Sequence, residues 1–341
     1  MRARCVAKIV WMLASLHFAV WAQAADQALI DAAKREGRLT WYTTQRPPFA
    51  MAAAAAFQAK YGIVVDEATY TAADVALRIA NEGRSGSPQA DIFDGSDGVS
   101  ALEKQNLVLK WQPDSARRLP KQYVDPNGYW VAANIYVLSP AFNTNLVPRG
   151  SEPKTLDDLL DPKWKGKMVW SPTPTMSGSP GLIGLILTEL GEDKGTAFLH
   201  KLATQNITPV LGSPATLNEV VTGEYPIALH VFTGQAADAA AKGAPVAWIP
   251  MVPALALFAV IALPANSPHP NAGKLMMDFL LSQEGQTIYA HFGYITVDPD
   301  VPPQDASLRP DGSHYRAINF TPDQVSEVLP KFARIYQDIF K

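Results

Sequence analysis

The sequence predicts an α/β fold of two domains, and two observations carry this prediction. Segments typical of strands and helices alternate along the first part of the chain, which is the pattern of a mostly parallel sheet with helices on both faces. The alternation then restarts after an apolar, β-rich run at Trp130–Leu138. A length of 341 residues with 48% hydrophobic residues is sufficient for two domains of ordinary size.

The N-terminal segment has the features of a secretory signal peptide. Three basic residues precede an apolar run over 9–22 that is too short for a stable membrane span, and Ala22–Gln23–Ala24 is a small-x-small cleavage site. We therefore expect residues 1–24 to be removed and the mature protein to be periplasmic. Cys5, the only cysteine, would leave with this segment. Loss of three basic and no acidic residues changes the formal charge from −3 to −6, which disfavours nucleic acid as a partner.

In the first domain, glycines and changes of hydrophobic pattern delimit the elements. The predicted elements are a helix at Asp26–Glu36, a strand at Leu39–Tyr42, a helix at Phe49–Lys60, a strand at Ile63–Val65, a helix at Ala72–Asn81 and a strand at Ala90–Phe93. In such sheets ligands bind beyond the carboxyl ends of the strands. The loops Thr43–Arg46 and Asp94–Asp97 both follow strand ends, so we expect them to line one cleft.

The second domain begins with Trp130–Leu138, which we interpret as a strand that crosses between the domains. The elements predicted after it are a short helix at Thr155–Leu160, a strand at Lys167–Trp170, helices at Gly181–Leu190, Lys194–Ala203 and Thr216–Val221, a strand at Ile227–His230 and a helix at Gly234–Lys242. A second apolar run, Val252–Leu263, is expected to cross back. Helices at Asn271–Leu281, Glu284–Phe292 and Pro322–Phe340 complete the chain.

The segment that begins at Ser171 is the first candidate binding element. Its polar, proline-rich start precedes a helix that is apolar all round and therefore buried. We interpret Ser179 as the N-cap of this helix and Pro180 as its first residue. The N–H groups of Ser177, Gly178 and Ser179 would then face out of the helix end and form an anion site, with Gly178 permitting close approach. The alternative is an ordinary capped helix start.

Several short sequence motifs occur along the chain. Each motif alone is weakly diagnostic of a family, but their order and spacing together are specific. The motifs are Leu39-Thr-Trp-Tyr-Thr-Thr44 with Phe57–Val65 after it, Ala90-Asp-Ile-Phe93 followed by Ala101-Leu-Glu103, Phe142-Asn-Thr-Asn145, Asp161-Pro-Lys-Trp-Lys-Gly166, Gly223-Glu-Tyr-Pro-Ile-Ala-Leu229, Lys242-Gly-Ala-Pro-Val246 and Glu284-Gly-Gln286. Over nearly all of the mature chain, this order resembles the type II periplasmic solute-binding proteins of ABC importers (extracellular solute-binding protein family 1 type), in the branch that includes ferric-iron-binding proteins.

The resemblance implies two doubly wound α/β lobes joined by β-strand hinges, with a ligand cleft between them. Lobe 1 would comprise residues 25–129 and 252–292, and lobe 2 would comprise residues 130–251 and 293–341. The segment Ser177–Ser179 falls where this family keeps an anion-binding loop. The resemblance further implies a monomer that works with an ABC permease at the inner membrane.

The iron ligands of the ferric branch do not carry over. That branch has adjacent tyrosines where this chain has Val231–Gly234, and it often has a histidine where this chain has Arg46. A cation at this position would repel ferric iron. A ferric-iron-binding protein is therefore the alternative rather than the main prediction. A second alternative concerns the partner, because the sequence fits equally a component of an ABC importer and the ligand-sensing input of a histidine-kinase receptor.

The remaining candidates are side chains that follow strand ends. The planar guanidinium of Arg46 suits a bidentate anion, whereas the alternative is a solvated surface arginine. His230 would hydrogen-bond a ligand and titrate near neutral pH, or would be a satisfied buried histidine. The full set of candidate ligand-binding residues is Thr43, Thr44, Arg46, Ser96, Met176, Ser177, Gly178, Ser179, His230, Phe232 and Thr233.

The sequence lacks the patterns of a hydrolase. No histidine stands in a nucleophile elbow, and the chain contains neither a His-Glu-x-x-His helix nor a cysteine cluster. We therefore predict a binding protein without catalytic residues, metal or cofactor. The expected ligand is a small anionic solute, namely an organic carboxylate, a phosphonate or a phosphate ester, which the protein delivers to an ABC importer.

Overall fold

The computed structural model describes residues 27–95, 98–310 and 314–341. Its helices are α1 (27–36), α2 (Pro47–Tyr61), α3 (Ala72–Ser85), α4 (Val99–Glu103), α5 (Ser179–Leu190), α6 (Glu192–Ala203), α7 (Ser213–Val221), α8 (Thr233–Ala241), α9 (Pro270–Leu281), α10 (Gln283–His291) and α11 (Pro322–Phe340). Its strands are β1 (Arg38–Thr43), β2 (Val64–Thr69), β3 (Ile92–Gly95), β4 (Trp130–Asn143), β5 (Met168–Trp170), β6 (Thr208–Pro209), β7 (Ile227–Phe232), β8 (Val246–Trp248), β9 (Ala254–Ala262), β10 (Ile295–Thr296) and β11 (Ala317–Phe320). None of the helices in these ranges combines the length and the apolar character that a membrane crossing requires.

Two long strands join two sets of parallel strands. Strand β1 pairs in parallel with β2 and β3, and β5 pairs in parallel with β6 and β7. Between these sets, β4 and β9 lie antiparallel from Trp130 opposite Ala262 to Leu138 opposite Leu255. Every residue of β9 is buried, as the apolar run in the sequence requires. The predicted α/β fold with two crossing strands is confirmed.

The buried side chains form two large hydrophobic clusters. The first cluster combines residues before Leu138 with residues of β9, α9 and the segment from Tyr289 to Tyr315. The second combines residues from Leu138 to Leu257 with α11. The division of the chain into 25–129 with 252–292 and 130–251 with 293–341 stays a prediction.

Some boundaries differ from those predicted. Gly178, not Ser179, is the N-cap of α5, and Ser179 is its first residue. Strand β7 extends beyond His230 to Phe232, because Phe232 pairs with Leu138 of β4. The helix predicted at Thr155–Leu160 is a 3-10 helix at Asp157–Leu160. The predicted signal peptide at 1–24 lies outside the described residues.

Candidate functional site

A cavity of about 360 Å³ lies between the two hydrophobic clusters. The loops that follow the carboxyl ends of β1 and β5, and the start of α8 directly after β7, contribute to its wall, as expected for a sheet of this kind. The lining comprises Thr44, Arg46, Ala72, Ile135, Tyr136, Val137, Thr173, Thr175, Met176, Ser177, Phe232, Gly234, Gln235, Asp238, Leu257, Phe292, Gly293, Tyr294 and Ile295.

Neutral groups hold Arg46 at the edge of this cavity. Its backbone N–H and its Nε donate to the hydroxyl oxygen of Tyr294 at 3.0 Å and 3.3 Å. Its Nη2 donates to the carbonyl of Phe292, and its guanidinium carbon lies 4.7 Å from the centroid of the Tyr294 ring. Within the described ranges, no carboxylate lies within ion-pair distance of Arg46. The positive charge of this exposed side chain is therefore available to an anion.

A buried carboxylate organises the loop before Arg46. Asp94 is fully buried and accepts hydrogen bonds from Trp41 Nε1 at 2.9 Å and from the Thr43 hydroxyl at 2.6 Å. Its other oxygen accepts from the backbone N–H and the hydroxyl of Thr44 at 2.8 Å and 2.6 Å. Burial raises the pKa of Asp94, and these hydrogen bonds oppose that effect. Thr43 is buried and supports this network, whereas Thr44 lines the cavity.

The loop before α5 lines the cavity, but not in the predicted way. The N–H of Gly178 donates to the Thr175 carbonyl at 3.0 Å, and the N–H of Ser179 donates to the Ser171 carbonyl at 2.7 Å. The prediction that both N–H groups are free for an anion is therefore wrong, because each of them donates to a carbonyl within the loop itself. Ser177 lines the cavity, and its N–H has no acceptor in the part of the chain that the structure describes.

The glycines of this segment permit tight packing of the loop on itself. A Cβ at Gly178 would lie 2.1 Å from the carbonyl oxygen of Thr173. A Cβ at Gly181 would lie 1.8 Å from the carbonyl oxygen of Met176. Gly178 and Ser179 are buried and do not line the cavity. The glycine at 178 is thus required by the loop, not by the approach of a ligand as predicted.

His230 lies beneath the same loop. It is 1% exposed, and its Nε2 lies 3.2 Å from the carbonyl oxygen of Met176. Because a carbonyl only accepts, Nε2 carries the hydrogen. Burial lowers the pKa of His230 to about 4. Of the two alternatives, the satisfied buried histidine is therefore the one observed, and the listing of His230 as a ligand-binding residue that titrates near neutral pH is wrong. His230 instead supports Met176, which is 1% exposed and lines the cavity.

Of the remaining predicted ligand-binding residues, one lines the cavity, one is buried behind its wall and one lies outside the described residues. Phe232 lines the cavity, with its ring centroid 5.2 Å from that of Tyr136. Thr233 is fully buried at the start of α8 and does not line it. Ser96, together with Asp97, lies outside the described residues.

The candidate set from the sequence lacks six polar side chains of the wall, namely Tyr136, Thr173, Thr175, Gln235, Asp238 and Tyr294. Asp238 was recognisable in principle, because it stands four residues after Gly234 on α8 and therefore shares its face of the helix. Tyr136 is one residue of an apolar strand, and Tyr294 follows a distant helix, so no local pattern marks either. Within the described ranges, no group of three or more His, Cys, Asp or Glu residues is placed to hold a metal ion.

Two hydrophobic clusters, two long strands running between them and a cavity lined from both sides define a two-lobe binding protein. The chain belongs to the family of bacterial extracellular solute-binding proteins, whose sequence profile matches residues 87–320. The resemblance found in the sequence is thereby confirmed. The protein is a periplasmic solute-binding component of an ABC importer and not an enzyme.

Comparisons with individual proteins agree with this assignment. The chain is 25% identical over 327 residues to the putative 2-aminoethylphosphonate-binding periplasmic protein of Salmonella typhimurium, covering 92% of this chain and 88% of the other. Iron-bound HitA from Pseudomonas aeruginosa has a TM-score of 0.74 at 22% identity, covering 89% and 99% of the two chains. AfuA from Actinobacillus pleuropneumoniae with exogenous fructose-6-phosphate bound has a TM-score of 0.73 at 21% identity, covering 89% and 98%. At these identities the two structures show a shared fold.

Proposed function

We propose that this protein captures a small anionic organic solute, a carboxylate, phosphonate or phosphate ester, and delivers it to an ABC permease. The observation that carries the proposal is Arg46, an exposed guanidinium with no carboxylate partner in the described ranges, on the wall of a cavity lined from both clusters. Charge-assisted hydrogen bonds from arginine to an oxyanion are short and strong. The names of relatives support the class, since 2-aminoethylphosphonate and fructose-6-phosphate both carry a phosphorus oxyanion.

The two sides of the cavity supply different contacts. Thr44, Arg46 and Tyr294 belong to the first side, and Thr173–Ser177 with the start of α8 belongs to the second. A ligand drives closure only through contacts that are stronger in the closed state than in the open one. An anion held by Arg46 from one side and by Ser177 from the other meets this requirement.

Ferric iron is the alternative ligand, favoured by two tyrosines in the cavity wall and by the likeness to iron-bound HitA. Three observations weigh against it. Burial raises the pKa of Tyr136 far above its ordinary value, which disfavours the phenolate that binds iron. The hydroxyl of Tyr136 is hydrogen-bonded to Gln45, and the oxygen of Tyr294 accepts from Arg46. The guanidinium itself repels a trivalent cation.

The test is a ligand panel on the mature protein, refolded from denaturant to remove bound solute. The panel contains carboxylates, phosphonates, sugar phosphates and ferric citrate. A ligand at about a hundred times its Kd stabilises by roughly 2.7 kcal/mol, which a thermal shift resolves. Arg46→Gln should weaken the affinity for the anion identified in the panel by at least about tenfold, since hydrogen bonds to charged groups contribute about 1.5–3 kcal/mol.

The matched control is Arg35→Gln, because Arg35 is an exposed arginine of α1 that does not line the cavity. Its affinity should equal that of the unmodified protein. An Arg46→Gln variant that binds the anion with unchanged affinity removes Arg46 from the site and overturns the proposal. If ferric citrate raises the melting temperature and none of the organic anions does, the iron alternative is established instead.

A further inference from the structure

The cavity wall offers hydrogen-bond acceptors as well as donors. The hydroxyl of Thr44 donates to the carboxyl group of Asp94, and the Thr44 N–H donates to the same carboxyl oxygen. The hydrogen of this hydroxyl is therefore used inside the protein. Towards a ligand, Thr44 presents lone pairs and accepts a hydrogen bond, rather than donating one to an anion.

The two tyrosines of the wall have opposite roles. The hydroxyl of Tyr136 lies 3.1 Å from Oε1 of Gln45, whose amide nitrogen donates to Asn134 at 3.2 Å. Tyr136 therefore donates to Gln45 and retains an oxygen that accepts. The oxygen of Tyr294 already accepts two hydrogen bonds from Arg46, so its own hydrogen remains to donate.

Asp238 adds a negative charge to the acceptor set. It lies on the wall, and its partner is Lys242, with Nζ 2.8 Å from Oδ2. The two side chains are 46% and 74% exposed. An exposed pair four residues apart on a helix is weak. A cation on a ligand can therefore take the place of Lys242.

The cavity wall carries side chains of both charge signs, namely Arg46 and Asp238. A ligand that carries both signs can pair with each of them, whereas a simple anion pairs with Arg46 alone. The faces of Tyr136 and Phe232 provide an apolar surface for the carbon chain between the charges, and aromatic faces also attract an ammonium group.

We infer that the cavity selects a zwitterion, in which an ammonium group meets the acceptors Asp238 and Thr44 while the anionic group meets Arg46 and the Tyr294 hydroxyl. Asp238 is then the residue that distinguishes an amino-bearing anion from the same anion without nitrogen. This inference rests on the proposed function, because it requires the anion to bind in this cavity.

Matched ligand pairs test the inference by calorimetry. The pairs are 2-aminoethylphosphonate with ethylphosphonate, taurine with ethanesulfonate, and β-alanine with propionate. In at least one pair, the amino-bearing member should bind ten or more times tighter than its partner. Asp238→Asn should reduce this ratio to about two or less and leave the affinity of the member without nitrogen unchanged.

Two further variants make the result specific. Asp193→Asn changes an exposed acid on α6 that does not line the cavity, and it should leave the ratio intact. Lys242→Met removes the residue that competes with the ligand for Asp238, so binding of the amino-bearing member should be equal or tighter. A tenfold loss in Lys242→Met would show that Lys242, and not the ligand, neutralises Asp238 in the complex, and it would overturn the inference.

The inference and the proposed function fail in different ways. Equal affinity for both members of each pair that binds, with loss of binding in Arg46→Gln, overturns the zwitterion and leaves the anion site in place. Absence of binding by every anion in the pairs and the earlier panel overturns both. The melting temperature of each variant without ligand identifies any variant that has not folded.

Discussion

Protonation of His230 should make the protein unstable in weak acid. The side chain is buried, its Nε2 hydrogen is directed to the Met176 carbonyl, and its pKa is lowered to about 4 from 6.5. In the unfolded chain this histidine binds a proton below about pH 6.5, whereas the folded protein resists protonation down to about pH 4. The stabilisation is therefore complete above the unfolded pKa and decreases as the pH falls between these two values.

The magnitude follows from the two pKa values. At about 1.4 kcal/mol per pH unit within this window, the unfolding free energy should fall by about 2.5 kcal/mol between pH 7.5 and pH 4.5 on account of His230 alone. Other groups titrate over the same range, so the effect must be measured as a difference. His230→Gln retains an N–H donor for Met176 but removes the titrating ring.

The assay is urea unfolding of both proteins at a series of pH values from 7.5 to 4.5. Whatever the cost of the substitution at pH 7.5, the unfolding free energy of the unmodified protein minus that of the variant should decrease by about 2.5 kcal/mol between pH 7.5 and pH 4.5. Parallel curves would refute the reasoning, because they would mean that His230 has the same pKa in the folded and unfolded states. The pH dependence of ligand affinity between pH 7.5 and pH 6 should be the same in both proteins, because the histidine is neutral in the folded protein over this range.

Three further predictions concern Gly178 and Tyr294 near the cavity, and Asp91, a buried carboxylate at the opposite end of β3 that holds Ser267 and His269. Gly178→Ala should lower the melting temperature and weaken ligand affinity tenfold or more, because its Cβ would lie 2.1 Å from the Thr173 carbonyl oxygen. Normal affinity by calorimetry would show that the loop before α5 does not contribute to binding. Tyr294→Phe should weaken anion binding by up to about tenfold, since it removes the acceptor of two Arg46 hydrogen bonds worth about 1 kcal/mol net; a calorimetric affinity equal to that of the unmodified protein would contradict this. Asp91→Asn should cost about 2 kcal/mol in urea unfolding, because this buried carboxylate accepts four hydrogen bonds, and a change in ligand affinity would speak against its purely structural role.

Much of the fold follows from local patterns. The helix predicted at Pro322–Phe340 is α11 with the same bounds, and it begins with a capping box at Thr321. Gly62 ends α2 in the left-handed conformation, which glycine adopts at little cost. The two crossing strands were recognisable because long apolar, β-rich runs are typical of strands buried on both faces.

The candidate site was only partly predictable. Thr44 and Arg46 of the predicted loop Thr43–Arg46 line the cavity together with Ser177, whereas Asp94, from the other loop predicted to line the cleft, is buried and supports Thr44. The roles of the individual N–H groups were not predictable, because the turn at Gly178 closes on carbonyls that no sequence pattern identifies. His230 is a comparable case, since its burial beneath Met176 depends on the packing of two separate elements.

By itself, the sequence determined the order of most strands and helices, the two-lobe fold class and the family. These properties depend on hydrophobic periodicity, helix ends and short motifs, all of which are local in the chain. Only the tertiary structure decided which polar atoms face the ligand. Thr44 is an acceptor because Asp94, 50 residues away, consumes its hydrogen, and Arg46 is held in place by Tyr294, 248 residues away. A hydrogen bond is formed by whatever partner lies within about 3 Å, and that proximity is a property of the folded chain alone.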